Sequence, residues 1–319
     1  MQRTNGLHHI TAISGNAQQH IDFYTEGLGL RLVKLTVNFD DPSVYHTYFA
    51  DIPGTPGTVL TFFPWEGIRR GRVGVSQTAA ISFAAPMGSL DEWVERLAGA
   101  EADVQEILER FGERVLRLHD PEGLPLELVE TERQDPRVRP WTDGSVPTGM
   151  ALAGFEGVTL AVRDVSATAA VLTGLMGYRE LGREGSRIRY ITGDGFANQV
   201  VDLLELPHGT VGTMGYGTVH HVAFRVADDE VQETLRREAM DAGLMPSEMR
   251  DRQYFHSVYF REPNGVLFEL ATEGPGFTID ENEAELGSAL RLPPQYESHR
   301  RQIEAHLPSL ILSQTGRVL

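Results

Sequence analysis

The chain has 319 residues, of which 41% are hydrophobic and 23% charged, with 28 basic and 45 acidic side chains giving a net charge of −17. This is the profile of a folded globular protein, and so acidic a surface repels nucleic-acid phosphates and anionic headgroups, so neither nucleic acid nor membrane is expected as a partner. There is no cysteine, which excludes disulfides and thiolate chemistry and leaves imidazole and carboxylate as metal donors, a set suited to Fe, Mn, Zn, Ni or Co. The opening residues carry no signal-peptide core and no stretch has the length of a membrane span, so a cytoplasmic location is expected; assembly into a homo-oligomer is left open.

Taken in chain order, the elements repeat. Four units, over 5–66, 77–131, 153–207 and 216–272, each open with a short strand, pass into a helix and finish with about three strands. The helices are expected over 17–27, 89–98, 165–175 and 228–242, with Ile21, Tyr24 and Leu28, or Trp93, Leu97 and Ala100, at helical spacing. The repeat is legible in paired segments. Asp120-Pro121-Glu122-Gly123 leads into Leu126-Glu127-Leu128 as Glu262-Pro263-Asn264-Gly265 leads into Phe268-Glu269-Leu270, a turn feeding an apolar strand broken by one glutamate. Tyr45-His46-Thr47-Tyr48-Phe49 likewise parallels Phe255-His256-Ser257-Val258-Tyr259, making His46 and His256 equivalent and, by default, structural. A single unit is too small to bury a core. The expected fold is therefore α+β, with four βαβββ modules forming two barrel-like domains. These are an N-terminal domain over 1–132 (modules one and two), a linker over 133–152 and a C-terminal domain over 153–272 (modules three and four). An extension over 273–319 would follow, with an amphipathic helix near 296–307 that buries Ile303 and Leu307.

With the modules in register, the first-strand slot holds His9, Ala80, Gly157 and His221, and the last-strand slot holds Thr61, Glu127, Asp202 and Glu269. Only modules one and four together supply two histidines and a carboxylate, the facial triad that leaves adjacent metal positions open. A lone strand histidine or strand-end glutamate is ordinarily structural; the coincidence of slots singles out His9, His221 and Glu269. Glu127 and Asp202 lack imidazole neighbours and read as packing residues. Side chains two apart share a strand face, so Thr11 falls beside His9, while His8 and His220 point away unless a bulge re-aims them.

These segments resemble the vicinal oxygen chelate superfamily in its four-module form. The closest likeness is to ring-cleaving hydroquinone dioxygenases of the 2,6-dichlorohydroquinone dioxygenase type. It rests on Leu7-His8-His9-Ile10-Thr11, Val219-His220-His221-Val222-Ala223-Phe224, Asp251-Arg252-Gln253-Tyr254-Phe255, and Tyr259-Phe260-Arg261-Glu262-Pro263 through Glu269. The resemblance implies an Fe(II)-dependent extradiol-type enzyme, with Mn(II) suited to the same donors, that opens a hydroquinone or related dihydroxy-aromatic and inserts both atoms of O₂. It further implies that Tyr259 donates to a phenol oxygen and that Arg252 offsets phenolate charge. His220 or His8 would take the phenol proton, and Thr11 would line the pocket. Two rival readings follow from the fold: a glyoxalase-type metal-dependent lyase or isomerase, against which Thr61 in a ligand slot argues, and a non-catalytic small-molecule-binding protein, against which the retained ligands argue.

Overall fold

The computed structural model describes residues 3–312 and 316–318. Module one supplies β1 (Leu7–Ser14), α1 (Ala17–Asp22), β2 (Arg31–Val37), β3 (Tyr45–Ala50) and β4 (Val59–Pro64); module two supplies β5 (Gln77–Ala85), α2 (Leu90–Leu97), β6 (Asp103–Arg110), β7 (Glu113–His119) and β8 (Pro125–Glu130). Module three supplies β9 (Phe155–Val162), α3 (Val165–Ala170), β10 (Arg179–Glu184), β11 (Arg187–Ile191) and β12 (Val200–Glu205). Module four supplies β13 (Thr218–Val226), α4 (Asp229–Asp241), β14 (Arg250–Asp251), β15 (Phe255–Arg261) and β16 (Leu267–Pro275). The expected helices are all present. In modules one and three the helix widens into a π-turn, over Phe23–Gly27 and Val171–Leu175. Asn16, Asp164 and Asp228 cap α1, α3 and α4 by accepting from backbone N–H groups that the first turn leaves unpaired.

The strands form two curled eight-stranded sheets, ordered β14-β15-β16-β13-β1-β4-β3-β2 and β10-β11-β12-β9-β5-β8-β7-β6. The architecture is thus the expected α+β arrangement of four modules in two barrel-like units. The modules are partnered differently from the expected chain-order halves over 1–132 and 153–272. Module one shares a sheet with module four, and module two with module three, because β1 pairs antiparallel with β13 and β5 with β9. Unpaired first-strand edges must find a partner, and an antiparallel partner from the opposite end of the chain serves as well as a neighbouring one.

Within every module the first and last strands run side by side and parallel, and this fixes the ligand slots. Thr11 lies opposite Thr61, Ser82 opposite Glu127, Thr159 opposite Asp202 and Ala223 opposite Glu269. The same ladders align Tyr48, Arg117, Arg189 and Tyr259, each opposite its module's last-strand slot. His46 is therefore the counterpart of Ser257, not of His256. The expected equivalence was one residue out of register, and one residue reverses the face. His256 accordingly points outward to Asp229, at 2.6 Å, while His46 is buried.

A continuous apolar core joins both sheets to the helices and includes the fully buried Trp93 of α2. The extension begins with turns that pack on β2. It continues through a 3₁₀ turn over Pro294–His299 into α5 (Arg300–Glu304), burying Ile303 and Leu307 as expected, and ends in a short pairing of β17 (Ile311–Leu312) with β18 (Arg317–Val318). No helix is long and apolar enough to cross a membrane, among the described residues.

Candidate metal centre

His9 on β1, His221 on β13 and Glu269 on β16 converge although His9 and His221 are 212 residues apart in the chain. The two Nε2 atoms lie 3.2 Å apart, and they stand 3.3 and 2.9 Å from Glu269 Oε2. All three side chains are buried, Glu269 completely. Among the described residues this is the one cluster of three such donors able to close on a single ion. Glu269 Oε2 makes no aligned hydrogen bond in this position. A buried carboxylate oxygen without a donor is costly unless a cation takes it, so the residues fit a divalent metal. Burial would raise the Glu269 carboxyl, but His9 and His221 overcome that and hold it well below the usual carboxylate range. Burial also lowers His221, against the pull of Glu269, and a neutral imidazole beside an ionised carboxylate is the state a metal requires.

The neighbours orient these donors. Ser257 Oγ donates to Glu269 Oε1, leaving Oε2 to face the histidines. Each candidate ligand imidazole has its Nδ1 against the Nδ1 of the preceding histidine: His8 to His9 at 2.9 Å and His220 to His221 at 2.8 Å. Such contacts fix ring orientation and tautomer. They exist because the ladder slips twice. It steps from Leu7 opposite Phe224 to His9 opposite Ala223, leaving His8 without a partner, and from Thr11 opposite His221 to Ala12 opposite Val219, leaving His220 without one. Two bulges, one on each strand, thus re-aim both residues that strict alternation turns away. Burial, reinforced by the adjacent histidine (His9 or His221), pushes both His8 and His220 down to about 3, so each is neutral.

A cavity of about 370 Å³ opens on this cluster, within the range of small-molecule sites of about 300–1,000 Å³. Of the residues expected in the site, Thr11, His220, Arg252 and Tyr259 line it with His9 and His221. His8 sits behind His9 instead, its ring centroid 4.9 Å from that of Phe255, and is placed to orient that ligand. Arg252 Nε donates to Tyr259 Oη at 3.3 Å, and its Nη2 reaches Asp40 at 3.0 Å. Burial dominates at Tyr259 and raises its hydroxyl above the usual range, so it stays protonated.

Sequence reasoning missed part of the wall. Phe39, Phe63, Trp65 and Phe255 make it aromatic. Tyr48 Oη, His46 and Thr61 form a hydrogen-bonded chain, with Tyr48 to His46 Nδ1 at 2.8 Å, His46 Nε2 to Thr61 Oγ1 at 2.9 Å, and Thr61 on to Thr11 at 2.9 Å. Tyr48 was findable as the register counterpart of Tyr259. Thr61 fills module one's equivalent of the Glu269 slot with hydroxyl bonds and adds no charged donor.

A model of the Glyoxalase/Bleomycin resistance protein/Dioxygenase superfamily matches residues 6–128. The chain is 46% identical to MhqO of Bacillus subtilis (strain 168), named as a ring-cleaving dioxygenase, over 96% of both chains. It is 37% identical to the chlorohydroquinone/hydroquinone 1,2-dioxygenase of Sphingobium indicum over 95% of both. A solved structure from Bacillus subtilis, named as a dioxygenase, superposes with a TM-score of 0.93 at 44% identity, covering 98% of this chain and 99% of that one. Glyoxalase I from Zea mays shares the fold alone, with a TM-score of 0.64 at 14% identity over 84% of this chain and 92% of that one. The chain is therefore a member of the Glyoxalase/Bleomycin resistance protein/Dioxygenase superfamily and, within it, belongs to the ring-cleaving dioxygenases.

Proposed function

We propose that this protein is a cytoplasmic Fe(II)-dependent, extradiol-type dioxygenase that opens a hydroquinone or closely related dihydroxy-aromatic and inserts both atoms of O₂, with His9, His221 and Glu269 holding the metal. The observation that carries this reading is the buried cluster of two imidazoles and a carboxylate, with the Nε2 atoms 2.9 and 3.3 Å from Glu269 Oε2, opening on an aromatic-walled cavity. When bound, the metal would supply adjacent open positions at which a phenol oxygen and O₂ meet, and Mn(II) suits the same donors.

The chain's own groups do the rest. The aromatic walls sandwich a planar ring and exclude water. Tyr259 Oη–H is placed to donate to a ring oxygen beside His221, and Arg252 keeps positive charge next to it. A His221 that gives Nε2 to the metal keeps its proton on Nδ1 and donates it to Nδ1 of neutral His220. His220 therefore holds its own proton on Nε2 and is a hydrogen-bond donor at the cavity wall, suited to assist O₂. Thr61 in place of a second carboxylate keeps the donor set at three, which favours oxygen chemistry over a lyase site with four protein ligands.

The test is oxygen uptake. Protein purified without oxygen and loaded with Fe(II) is expected to consume one O₂ per hydroquinone, and Glu269→Gln to lose metal affinity by more than about 100-fold along with turnover. Iron-loaded protein that consumes no oxygen with hydroquinones or catechols would overturn the reading.

A further inference from the structure

The second sheet has its own cavity, about 290 Å³, at the place that corresponds to the metal cavity of the first. Its two histidine slots are empty of imidazole, one of them for a steric reason. Ala80 takes one, and at Gly157, which takes the other, a Cβ would come within 2.7 Å of Val200 O, so no histidine fits. Arginines occupy the positions around them. Arg117 stands where Tyr259 stands in module four, and Arg110 is the counterpart of Arg252, since the ladder places Arg110 opposite Glu113 as Leu108 lies opposite Val115 and Arg250 opposite Ser257.

These arginines are not fully used. Arg110 is buried and forks Glu127 through Nη1 and Nη2, but its buried Nε has no partner. Arg187, across the cavity, engages Thr159 Oγ1 and Asp202 through Nη1 alone. Burial and then the nearby Arg110 lower Arg187, and Asp202 and Glu127 only partly offset them, so a further anion beside Arg187 would stabilise its charge. The wall also carries the apolar side chains of Leu108, Leu118, Leu126 and Leu204, and its three guanidiniums, with Arg117 the third, face a single lining carboxylate, Glu127.

We infer that this cavity is a second ligand site that takes a small carboxylic acid with an apolar body, its carboxylate between Arg110 and Arg187 and its body against the leucines. The inference does not depend on the metal centre. The probe is 4-fluorobenzoate, titrated at millimolar concentration into metal-free full-length protein carrying labelled alanine and leucine methyl groups. Binding is expected to shift the Ala80 and Leu118 resonances and to leave Leu267, in the metal cavity, in place. Arg187→Gln is expected to weaken binding by about 10-fold or more, as loss of a charged hydrogen-bond donor does, and His221→Ala to leave it unchanged. No shift at Ala80 and Leu118 in the wild type overturns the proposal, as does a shift confined to Leu267 or affinity insensitive to Arg187→Gln.

Discussion

Ser257 holds the oxygen of Glu269 that faces away from the histidines. It has no charge and lies outside the cavity lining, yet it decides which lone pairs Glu269 presents. Ser257→Ala is expected to weaken metal binding by about 10–100-fold while the fold persists, measured by titrating Fe(II) or Mn(II) against a chelator. At this scale the three candidate ligands were legible in the sequence, because a strict slot comparison needs only identity and spacing. His8 and His220 were half legible. Alternation placed them on the wrong face, and only hydrogen-bond register reveals a bulge. Ser257 and Tyr48 were hidden by a one-residue misalignment of β3 with β15, two segments whose Tyr, His and Phe residues match equally well out of register.

The element that most constrains the site contributes nothing to its lining. The extension sends Glu281 and Asp280 to the fully buried Lys34 of β2. Asp280 also accepts from Tyr254 Oη at 3.1 Å and from Gln253 at 2.9 Å. Those two residues follow Arg252, so one carboxylate ties module one to the loop that aims the cavity's guanidinium. Lys34→Ala would strand buried Glu281 without its lysine and is expected to cost about 3–5 kcal/mol, read by denaturant unfolding, and to raise KM more than it lowers kcat as Arg252 loses its support. Helices were well legible at this scale, their spacing and glycine ends being local signals. The pairing of modules was not, because a first strand with an apolar face fits either of two antiparallel partners and periodicity carries no preference between them.

Across the whole molecule the second sheet balances charges that the first devotes to its donors. Glu156 occupies the bulge position that His8 holds in the first sheet, the ladder passing from Gly157 to Phe155 around it. It meets Arg133 at 2.9 Å, yet burial outweighs this and, with Glu113 and Asp202 close by, raises its carboxyl from 4.5 to about 7. Between those values the folded chain binds more protons at Glu156 than the unfolded chain does, so this residue's contribution to stability declines as pH rises through that window and is constant outside it. Glu156→Gln is therefore expected to be more stable than wild type near about pH 8, with the difference closing near about pH 4, as followed by urea denaturation. The pairing of β1 with β13 has a temporal consequence. During synthesis His9 leaves the ribosome long before its partners, and β1 waits with an open edge until the fourth module arrives. An unfinished chain therefore lacks the complete set of His9, His221 and Glu269, so the centre proposed to activate oxygen forms only in a molecule whose two ends have already found each other.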